Sequence, residues 1–386
     1  MSPEAGLYVH VPFCRALCPY CDFAVNVASE KRRSRYAELL LTEIALCWGG
    51  KFDTLYFGGG TPSLLPAPTL ARIGEELSSR GWLSPDCRVF VEANPEDVNE
   101  DALVGFREAR VSTLSLGIQS LDPESLLFFG RRHTRDEAAR AVALAREAGF
   151  DTVSIDLIYG IPGETEARLR KDLEDAVALS PDHLSCYQLT VHENTVFGRH
   201  TRAGRLEEVS DEGQGSFFRL THEVLESAGY EAYEVSNFAR APEHRSRHNQ
   251  KYWRHQPYLG LGPSAHSFDG RARSWNERSF FAWERRLLEG RVPTAGREEL
   301  DDRDLLLETL MLRLRTREGV DLEEIATRFG VDLVESNRIL IERSLEDGLL
   351  TRQGSFLRPT LDGLAVADGL ARSFVLSPHQ WQTARS

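Results

Sequence analysis

The stretch Leu7–Cys21, with the sequence LYVHVPFCRALCPYC, joins a short apolar segment to three closely spaced cysteines. Apolar residues alternate with Tyr8 and His10 over Leu7–Val11, and this period of two predicts a β-strand. The cysteines follow at once in the spacing C-x3-C-x2-C. A strand that leads into reactive side chains is typical of α/β folds whose functional residues gather at the carboxyl ends of the strands.

Five more segments of the same kind follow, each short, apolar or alternating, and bounded by turn residues. They are Thr54–Phe57, Arg88–Glu92, Thr113–Ile118, Val153–Ile158 and His183–Leu189. Each interval between them is long enough for a crossover helix, so neighbouring strands are expected to be parallel. We therefore predict an α/β fold of six strand–helix units, curved into a partial (β/α)6 TIM-like barrel. A doubly wound open sheet has the same periodicity and stays open as an alternative.

Polar side chains recur where these predicted strands end. The string Gly58-Gly59-Gly60-Thr61 follows the second strand, and the later ends carry Glu92 and Asn94, Gln119, and Asp156. Each of them alone is as well explained by a solvated strand end or a helix cap. Polar residues at four consecutive strand ends favour a functional site at the carboxyl edge of the sheet.

The pattern changes after about residue 295. Three amphipathic helices are predicted over Asp301–Leu314, Asp321–Phe329 and Val334–Glu346, and Gly348–Pro359 then alternates like a short hairpin. We expect a first domain over residues 1–295 and a smaller, mainly helical domain over 296–386. Three helices and a hairpin predict a winged-helix-like module, although its mixed charge gives no reason to infer DNA binding.

Composition excludes several classes of partner. The 386 residues include 46 Lys and Arg and 59 Asp and Glu, so the net charge of −13 disfavours nucleic-acid binding. No apolar run approaches the ~20 residues that a membrane-spanning helix needs. Residues 1–6 show no signal-peptide pattern, and six cysteines are too few for a disulfide scaffold. We expect a cytoplasmic protein.

The cysteine cluster predicts a metal centre. Three thiolates on one tight loop can hold three irons of a cubane cluster and leave the fourth iron open to a small molecule. A zinc site with His10 as the fourth ligand is the alternative that stays open, while a disulfide is disfavoured in the cytoplasm. The other cysteines, Cys47, Cys87 and Cys186, fall on predicted apolar faces and are interpreted as core residues.

The motifs resemble a known family. C-x3-C-x2-C with an aromatic residue before the last cysteine is the signature of the radical S-adenosylmethionine (SAM) superfamily. Three strings resemble its oxygen-independent coproporphyrinogen III oxidase branch: YVHVPFC at residues 8–14, GGGTPS at 58–63 and DLIYGIPG at 156–163. The similarity extends over nearly the whole chain, including the C-terminal domain, and it favours a barrel of the radical SAM type.

The resemblance implies a role for particular residues. A [4Fe–4S] cluster would be bound by Cys14, Cys18 and Cys21, and SAM would chelate its open iron. Residues implied to lie around the cluster, SAM or a second ligand beside SAM are Tyr8, Tyr20, Gly59, Gly60, Thr61, Glu92, Gln119, Arg131 and Asp156, with Thr190 and His266 at more weakly matching positions. No catalytic residue is assigned.

Two departures separate the chain from the oxidases. The oxidases carry a fourth cysteine where this sequence has Phe23, and they have a longer segment before the first cluster cysteine, which here is already Cys14. Both features resemble the sister family, the HemW-type haem chaperones. The string HNQKYW at residues 248–253 matches the H-N-x-x-Y-W pattern of that family, which has been tied to haem handling, and marks a haem-motif segment near 240–270.

Within that segment His248 is the candidate haem ligand, because imidazole is a common axial ligand of haem iron. The alternative is a surface or core histidine with no metal, and His10 and His266 are the rival ligands. Arg245, Arg247 and Lys251 could meet the haem propionates.

Several functions follow from the resemblance. The first is a haem chaperone that holds haem, a [4Fe–4S] cluster and SAM and transfers haem to an acceptor protein, for which a respiratory enzyme is one candidate. The alternative is a radical SAM enzyme that decarboxylates coproporphyrinogen III to protoporphyrinogen IX. Another radical SAM reaction on a tetrapyrrole, and a scaffold without cofactors, stay open. Coproporphyrinogen oxidase activity is expected to be absent, SAM cleavage is left open, and a homodimer is one expected assembly.

Overall fold

The structure is a computed structural model that describes residues 5–47 and 49–376. Residues 1–6 were expected to contain no signal peptide, and residues 1–4 of this segment lie outside the described residues. So do the last ten positions of the expected C-terminal domain, residues 377–386. Among the described residues, no helix combines the length and the apolar character needed to cross a membrane.

The described chain alternates strands and helices. Its strands are β1 Ala5–Val11, β2 Phe13–Cys14, β3 Asn26–Val27, β4 Phe52–Gly59, β5 Leu83–Ala93, β6 Val111–Gln119, β7 Thr152–Tyr159, β8 His183–Gln188, β9 Glu231–Ala232, β10 Asn237–Ala239, β11 Tyr258–Leu261, β12 His266–Phe268, β13 Ala272–Asn276, β14 Thr294–Glu299, β15 Val320–Asp321, β16 Leu350–Gln353 and β17 Phe356–Pro359. Its α-helices are α1 Glu30–Leu46, α2 Ala67–Ser79, α3 Glu100–Glu108, α4 Pro123–Phe128, α5 Arg135–Glu147, α6 Glu166–Ala178, α7 Val196–Arg202, α8 Asp211–Ser227, α9 Arg247–Trp253, α10 Phe280–Leu288, α11 Asp302–Arg313, α12 Leu322–Phe329, α13 Leu333–Ser336, α14 Arg338–Glu346, α15 Leu361–Ala365 and α16 Ala367–Ser373.

The six predicted strands form the centre of one large sheet. They are neighbours in the order β1-β4-β5-β6-β7-β8, and every pair among them is parallel. Helices connect successive strands, as crossover connections between parallel strands require. Among the strands that the structure describes, those at the two ends of the sheet do not pair with each other, so the barrel is incomplete. The predicted α/β fold with a partial (β/α)6 barrel is therefore confirmed.

The sheet is wider than the sequence indicated. Strand β11 pairs with β1 in parallel, and β12, β13 and β14 extend that edge in antiparallel fashion. Strands β10 and β9 extend the opposite edge beyond β8, also antiparallel. We did not predict these strands because most of them are short and they lack the helix-separated spacing that marked the central six. They cover both edges of the parallel sheet, which would otherwise offer unpaired backbone groups.

The largest apolar core lies between the sheet and the helices. Strand residues such as Leu7, Val9 and Leu114 are fully buried, and α1 contributes Leu40 and Ile44 from one helical face. Burial of such side chains stabilises the fold by roughly 1.5–3 kcal/mol each. The core fixes the strands rigidly and leaves their carboxyl ends to carry the functional residues.

The C-terminal segment packs around a smaller core to which Phe268 of β12 also belongs. Helices α11, α12 and α14 pack with a three-stranded antiparallel sheet in the order β15-β17-β16. The predicted hairpin is present as β16 and β17, and its turn contains Gly354 with a positive φ of 61°. Strand β15 and helices α15 and α16 complete the module and were not predicted.

One predicted helix is divided in two. The segment expected as a single helix over Val334–Glu346 breaks at Asn337, which has φ −129° and separates α13 from α14. The buried Asn337 side chain accepts a hydrogen bond from Val375 N at 2.7 Å and donates to Leu333 O at 3.2 Å. An asparagine that bonds backbone groups in this way competes with the helix, which explains the break.

Candidate functional site

The three cysteines lie on one loop at the carboxyl end of β1. Cys14 ends β2, and Cys18 and Cys21 follow before β3 pairs back onto β2. Within the loop Cys21 N donates to Cys18 O at 3.2 Å. All three are half-buried and none is in a disulfide. The loop therefore presents three thiols towards the mouth of the barrel.

Side chains from the segments that follow β4 and α4 reach two of these sulfur atoms. Thr61 Oγ1 donates to Cys14 Sγ at 3.7 Å, and Arg131 Nη1 donates to Cys18 Sγ at 3.7 Å. Burial raises the pKa of the Cys14 thiol to about 11, and it also raises the pKa of Cys21. Because iron binds thiolates, loading of a metal centre here would release these protons.

The structure gives no support to the zinc alternative. Among residues 5–47 and 49–376, no three or more His, Cys, Asp or Glu side chains are gathered closely enough to hold one metal ion. A cubane cluster is bound at separate corners, so its thiolates stand further apart than the ligands of a single ion. His10 is also committed elsewhere, because its Nε2 donates to Ala24 O at 3.2 Å and its Nδ1 accepts from Tyr8 Oη at 3.1 Å.

Most of the predicted site residues line one cavity of about 440 Å³ beside the cysteine loop. We call it the main cavity. It is lined by Cys14, Cys18, Tyr20, Cys21, Gly59, Gly60, Thr61, Glu92, Gln119, Arg131, Asp156 and Thr190. Residues from the loop and from the ends of β4, β5, β6 and β7 thus meet at one place. Tyr8 and His266 line a neighbouring cavity instead, and His248 borders neither.

The glycines after β4 let two backbone segments approach closely. A Cβ atom on Gly60 would lie 2.5 Å from the carbonyl oxygen of Phe13, next to the first cysteine. Gly59 has φ +110°, a conformation that L side chains rarely adopt. The string therefore forms a narrow cradle against the cysteine loop, which suits the backbone recognition of a small ligand.

Two half-buried carboxyl groups lie at the inner end of the main cavity. Glu92 accepts hydrogen bonds from Tyr56 Oη at 2.7 Å and from Gly59 N at 3.1 Å. Asp156 accepts from Ser115 Oγ at 3.1 Å. Burial raises the pKa of Glu92 to about 7 and that of Asp156 to about 6. These carboxyl groups can accept hydrogen bonds from a ligand and exchange protons near neutral pH.

Arg131 spans the cavity. Its Nη2 donates to Asn94 Oδ1 at 2.7 Å and to Gly117 O at 2.6 Å, while its buried Nε has no partner in the described part of the chain. A buried donor without a partner suits an anionic group of a ligand. Nearby Gln119 has φ 71°, an uncommon backbone conformation for a non-glycine residue that is often found at functional sites.

His248 lies in the interior of the fold. It is 1% exposed, and its Nδ1 and Nε2 form hydrogen bonds of 2.9 Å with Thr54 Oγ1 and with Tyr252 Oη. Burial lowers its pKa to about 3, so the ring is neutral. Lys251 of the same helix forms an ion pair with Asp53 at 2.6 Å. Haem ligation by His248 would therefore require one of these hydrogen bonds to break and the buried ring to become accessible.

The cysteine loop is fastened by residues that no sequence pattern marks. Arg15, between the first two cysteines, donates from Nε and Nη2 to Asp97 Oδ1 at 2.8 and 2.6 Å. Ser63 Oγ donates to Asp97 Oδ2 at 2.8 Å. The buried Asp97 thus ties the loop to the segments after β4 and β5. No local pattern marks this contact, since Arg15 and Asp97 are far apart in sequence.

We expect Asp97→Ala to loosen the loop without unfolding the barrel. The contact with Arg15, which is half-exposed, is worth about 1 kcal/mol, so a bound cluster should be lost roughly five times faster. The rate of iron release to a chelator under anaerobic conditions measures this effect. The matched control is Asp101→Ala on the exposed start of α3, which should release iron at the wild-type rate. Equal rates in both variants would contradict the proposed fastening.

Comparison with known proteins places this site in a class. Residues 8–176 match the model of the radical SAM superfamily, and residues 300–366 match the HemN C-terminal domain. The structure of coproporphyrinogen III oxidase (HemN) from Escherichia coli has the same fold, with a TM-score of 0.83 and 22% identity over 97% of this chain and 90% of that chain. The fold and the cysteine loop therefore define a radical SAM protein. Membership of that superfamily implies a [4Fe–4S] cluster and SAM.

More similar relatives specify the family. The heme chaperone HemW of Mycobacterium tuberculosis is 35% identical over 96% of this chain and 94% of its own length. The heme chaperone HemW of Escherichia coli is 33% identical over 97% of this chain and 98% of its own length. The chain belongs to the HemW family of haem chaperones.

Proposed function

We propose that this chain is a cytoplasmic haem chaperone that binds haem, a [4Fe–4S] cluster and SAM, and that it passes haem to an acceptor protein. The observation that carries the proposal is the similarity, over nearly the full length, to proteins named heme chaperone HemW. Phe23 supports it further, because it stands where the oxidases have a fourth cysteine. Its side chain is 62% exposed between the cysteine loop and a neighbouring cleft.

The residues that line the main cavity are suited to bind the cluster and SAM. Cys14, Cys18 and Cys21 would hold the cluster, which supplies an open iron and one-electron chemistry when bound. Gly59 and Gly60 would contact the methionyl end of SAM in the cradle beside Phe13, where a Cβ atom has no room. The unpartnered Nε of Arg131 would meet its carboxylate. This assignment places SAM where Arg131 Nε has no partner in the described residues and where the two glycines leave space.

Glu92 and Asp156 would orient groups of a ligand deeper in the main cavity. Glu92 holds Gly59 N and Tyr56 Oη at the same time, so it fixes the end of β4 relative to β5. Asp156 projects from β7 into the same cavity beside Ser115. We infer that these groups bind hydroxyl or amino groups of SAM or of a second ligand beside it. Tyr20, packed against Phe129 at 5.3 Å between ring centroids, would close the outer side.

The proposal is tested on one anaerobic preparation of the full chain with its reconstituted cluster. Titration with haem should give a Soret band that saturates at about one haem per chain. Haem should then move to membranes from haem-starved cells and restore their quinol oxidation. A haem titration without saturation would refute the chaperone function.

The same preparation also tests the alternative function, that of a coproporphyrinogen III oxidase. Incubation with coproporphyrinogen III, SAM and a reductant is expected to give no protoporphyrinogen IX by chromatography. Formation of that product, and its loss in a variant without the cluster, would establish the enzyme in place of the chaperone. The stoichiometry of 5′-deoxyadenosine in the same reaction measures whether SAM is cleaved.

A further inference from the structure

A second cavity, of about 340 Å³, lies next to the main cavity at the end of the cysteine loop. We call it the aromatic cleft. The residues that matter for its chemistry are Tyr8, Phe23, Tyr252, Tyr258, His266 and Arg278. Phe23 and Gly59 line both this cleft and the main cavity, so the two are direct neighbours. None of the functions assigned so far uses the aromatic cleft as a whole.

The cleft offers flat apolar surfaces with few competing contacts. The rings of Tyr252 and Tyr258 meet edge to face with centroids 4.8 Å apart, and they hold each other in place. Phe23 presents 62% of its surface. A ligand that contacts these rings would cover apolar area that now faces solvent. A planar aromatic macrocycle fits this requirement better than a flexible polar ligand does.

Of the three histidines weighed as haem ligands, His266 alone is available. His248 is buried with both nitrogens hydrogen-bonded, and His10 has partners at both nitrogens as well. His266 is exposed in the cleft. Its ring packs beside Trp275 with centroids 6.2 Å apart, and in the described part of the chain its nitrogens have no hydrogen-bond partner.

The charges around His266 favour a neutral ring and an anionic ligand. Desolvation and the nearby Arg273 guanidinium lower the pKa of His266, so a lone pair is available at neutral pH. Arg278 lines the same cleft and is held only loosely, with a 3.5 Å hydrogen bond to Asp22 O. Its guanidinium can turn to a carboxylate at the edge of a ligand. The cleft thus combines an iron ligand, aromatic faces and a cation.

We propose that the aromatic cleft is the haem-binding site and that His266 is the axial ligand of the haem iron. The proposal rests on the haem-chaperone function. It replaces the implied contact of His266 with SAM, because this residue lies outside the main cavity. It also gives the H-N-x-x-Y-W motif a different role: Tyr252 forms one wall of the site, and His248 holds Tyr252 in position from behind.

A rival cavity lacks a histidine ligand for the iron. A cleft of about 430 Å³ between the barrel and the C-terminal domain is lined by Arg245, Arg254, Arg313, Arg317 and Arg358, together with Trp253. It would attract propionates, yet its described lining contains no histidine, cysteine or methionine. Four of these arginines are also paired with glutamates. An exposed histidine is therefore available in the aromatic cleft, whereas the described lining of the rival cavity offers only the buried Tyr233, whose hydroxyl is already hydrogen-bonded to His183 and Ser246.

The test compares haem titrations of the cluster-loaded full chain and three variants. His266→Ala should weaken haem binding by roughly 10- to 100-fold, the range seen when groups that support a metal are removed. It should also abolish the spectrum of histidine-bound haem, and added imidazole should restore that spectrum. Iron and sulfide content should stay at the wild-type level, because His266 is exposed and contacts no cysteine. His200→Ala on α7, outside both cavities, should behave as wild type.

His248→Gln distinguishes the two candidate haem ligands, His248 and His266. It is expected to keep the histidine-bound spectrum, with a modest loss of affinity from the displaced Tyr252 ring. If wild-type protein binds no haem, the chaperone function itself fails. If wild-type protein binds haem and His266→Ala leaves the affinity and spectrum unchanged, the aromatic cleft is not the site. Loss of the spectrum in His248→Gln, with His266→Ala unaffected, would assign the iron to His248.

Discussion

Replacing Cys18 by serine is expected to remove the iron–sulfur cluster completely. The wild-type chain, reconstituted without oxygen, should carry about four irons and four sulfides, and Cys18→Ser should fall close to zero. The reason is that three thiolates are the whole protein ligand set on the loop, so loss of one leaves the cluster with two. Chemical analysis and electron paramagnetic resonance of the reduced protein measure the loss.

The Cys18 thiol is also the acceptor of the Arg131 hydrogen bond, which makes its position part of the main cavity. SAM binding should therefore be lost together with iron. The matched control is Cys87→Ser, a half-buried cysteine of β5 outside the loop, which should keep the wild-type iron content. A Cys18→Ser protein with full iron content, or a wild-type protein with stoichiometric zinc, would overturn the assignment of the loop.

The second large effect is expected from Glu43 in α1, a fully buried carboxyl group. Glu43 Oε2 accepts hydrogen bonds from Gly262 N at 2.8 Å and Trp283 Nε1 at 3.0 Å, and Oε1 accepts from Asn276 Nδ2 at 2.7 Å. Glu43→Ala leaves these buried donors without an acceptor. Each unsatisfied donor costs about 1–3 kcal/mol, so the free energy of unfolding should fall by roughly 3–5 kcal/mol.

Denaturant unfolding measures this change, with Thr42→Ala as the exposed neighbour on the same helix and an expected effect of about 0.5 kcal/mol or less. The carboxyl group also predicts a pH dependence. Burial raises the pKa of Glu43 from its usual 4.5 to about 7 in the folded protein. The stability contributed by its protonated form is full below pH 4.5 and is lost as the pH rises through about 7.

Wild-type stability should therefore decline with rising pH across this window relative to Glu43→Gln, whose side chain does not titrate. The other carboxyl groups with raised pKa values, such as Glu92, are common to both proteins and cancel in the comparison. Parallel pH profiles of the two proteins would show that Glu43 is already ionised throughout. A small effect of Glu43→Ala would show that water replaces the carboxylate.

The sequence was informative wherever the physical signal is local. The central strands were predictable because apolar runs, turn residues and helix-length intervals recur in order, and the polar strand ends followed from the same register. The cysteine loop and the glycine string were visible because chemistry there depends on spacing over a few residues. The short edge strands β9 to β14 were not predicted, because pairing with neighbouring strands creates them and no local composition marks them.

Burial of polar residues was not predictable. The environment of His248 depends on Thr54, which lies 194 positions earlier in the chain and is brought beside it only by the fold. Asp97 and Arg15 are separated by 82 positions, and nothing around either residue indicates their contact. A motif can therefore identify residues that belong together without revealing which of their atoms face a ligand.

The position of β1 has a consequence for how the protein is made. This strand, which leads into the cysteine loop, pairs on one side with β4 and on the other with β11, at residues 258–261. A growing chain on the ribosome cannot complete the first strand until more than half of the polypeptide has emerged. Until then the loop borders an open sheet edge. Truncated translation products would expose this edge and the adjacent thiols together, and they are the species in which we expect aggregation and oxidation to begin.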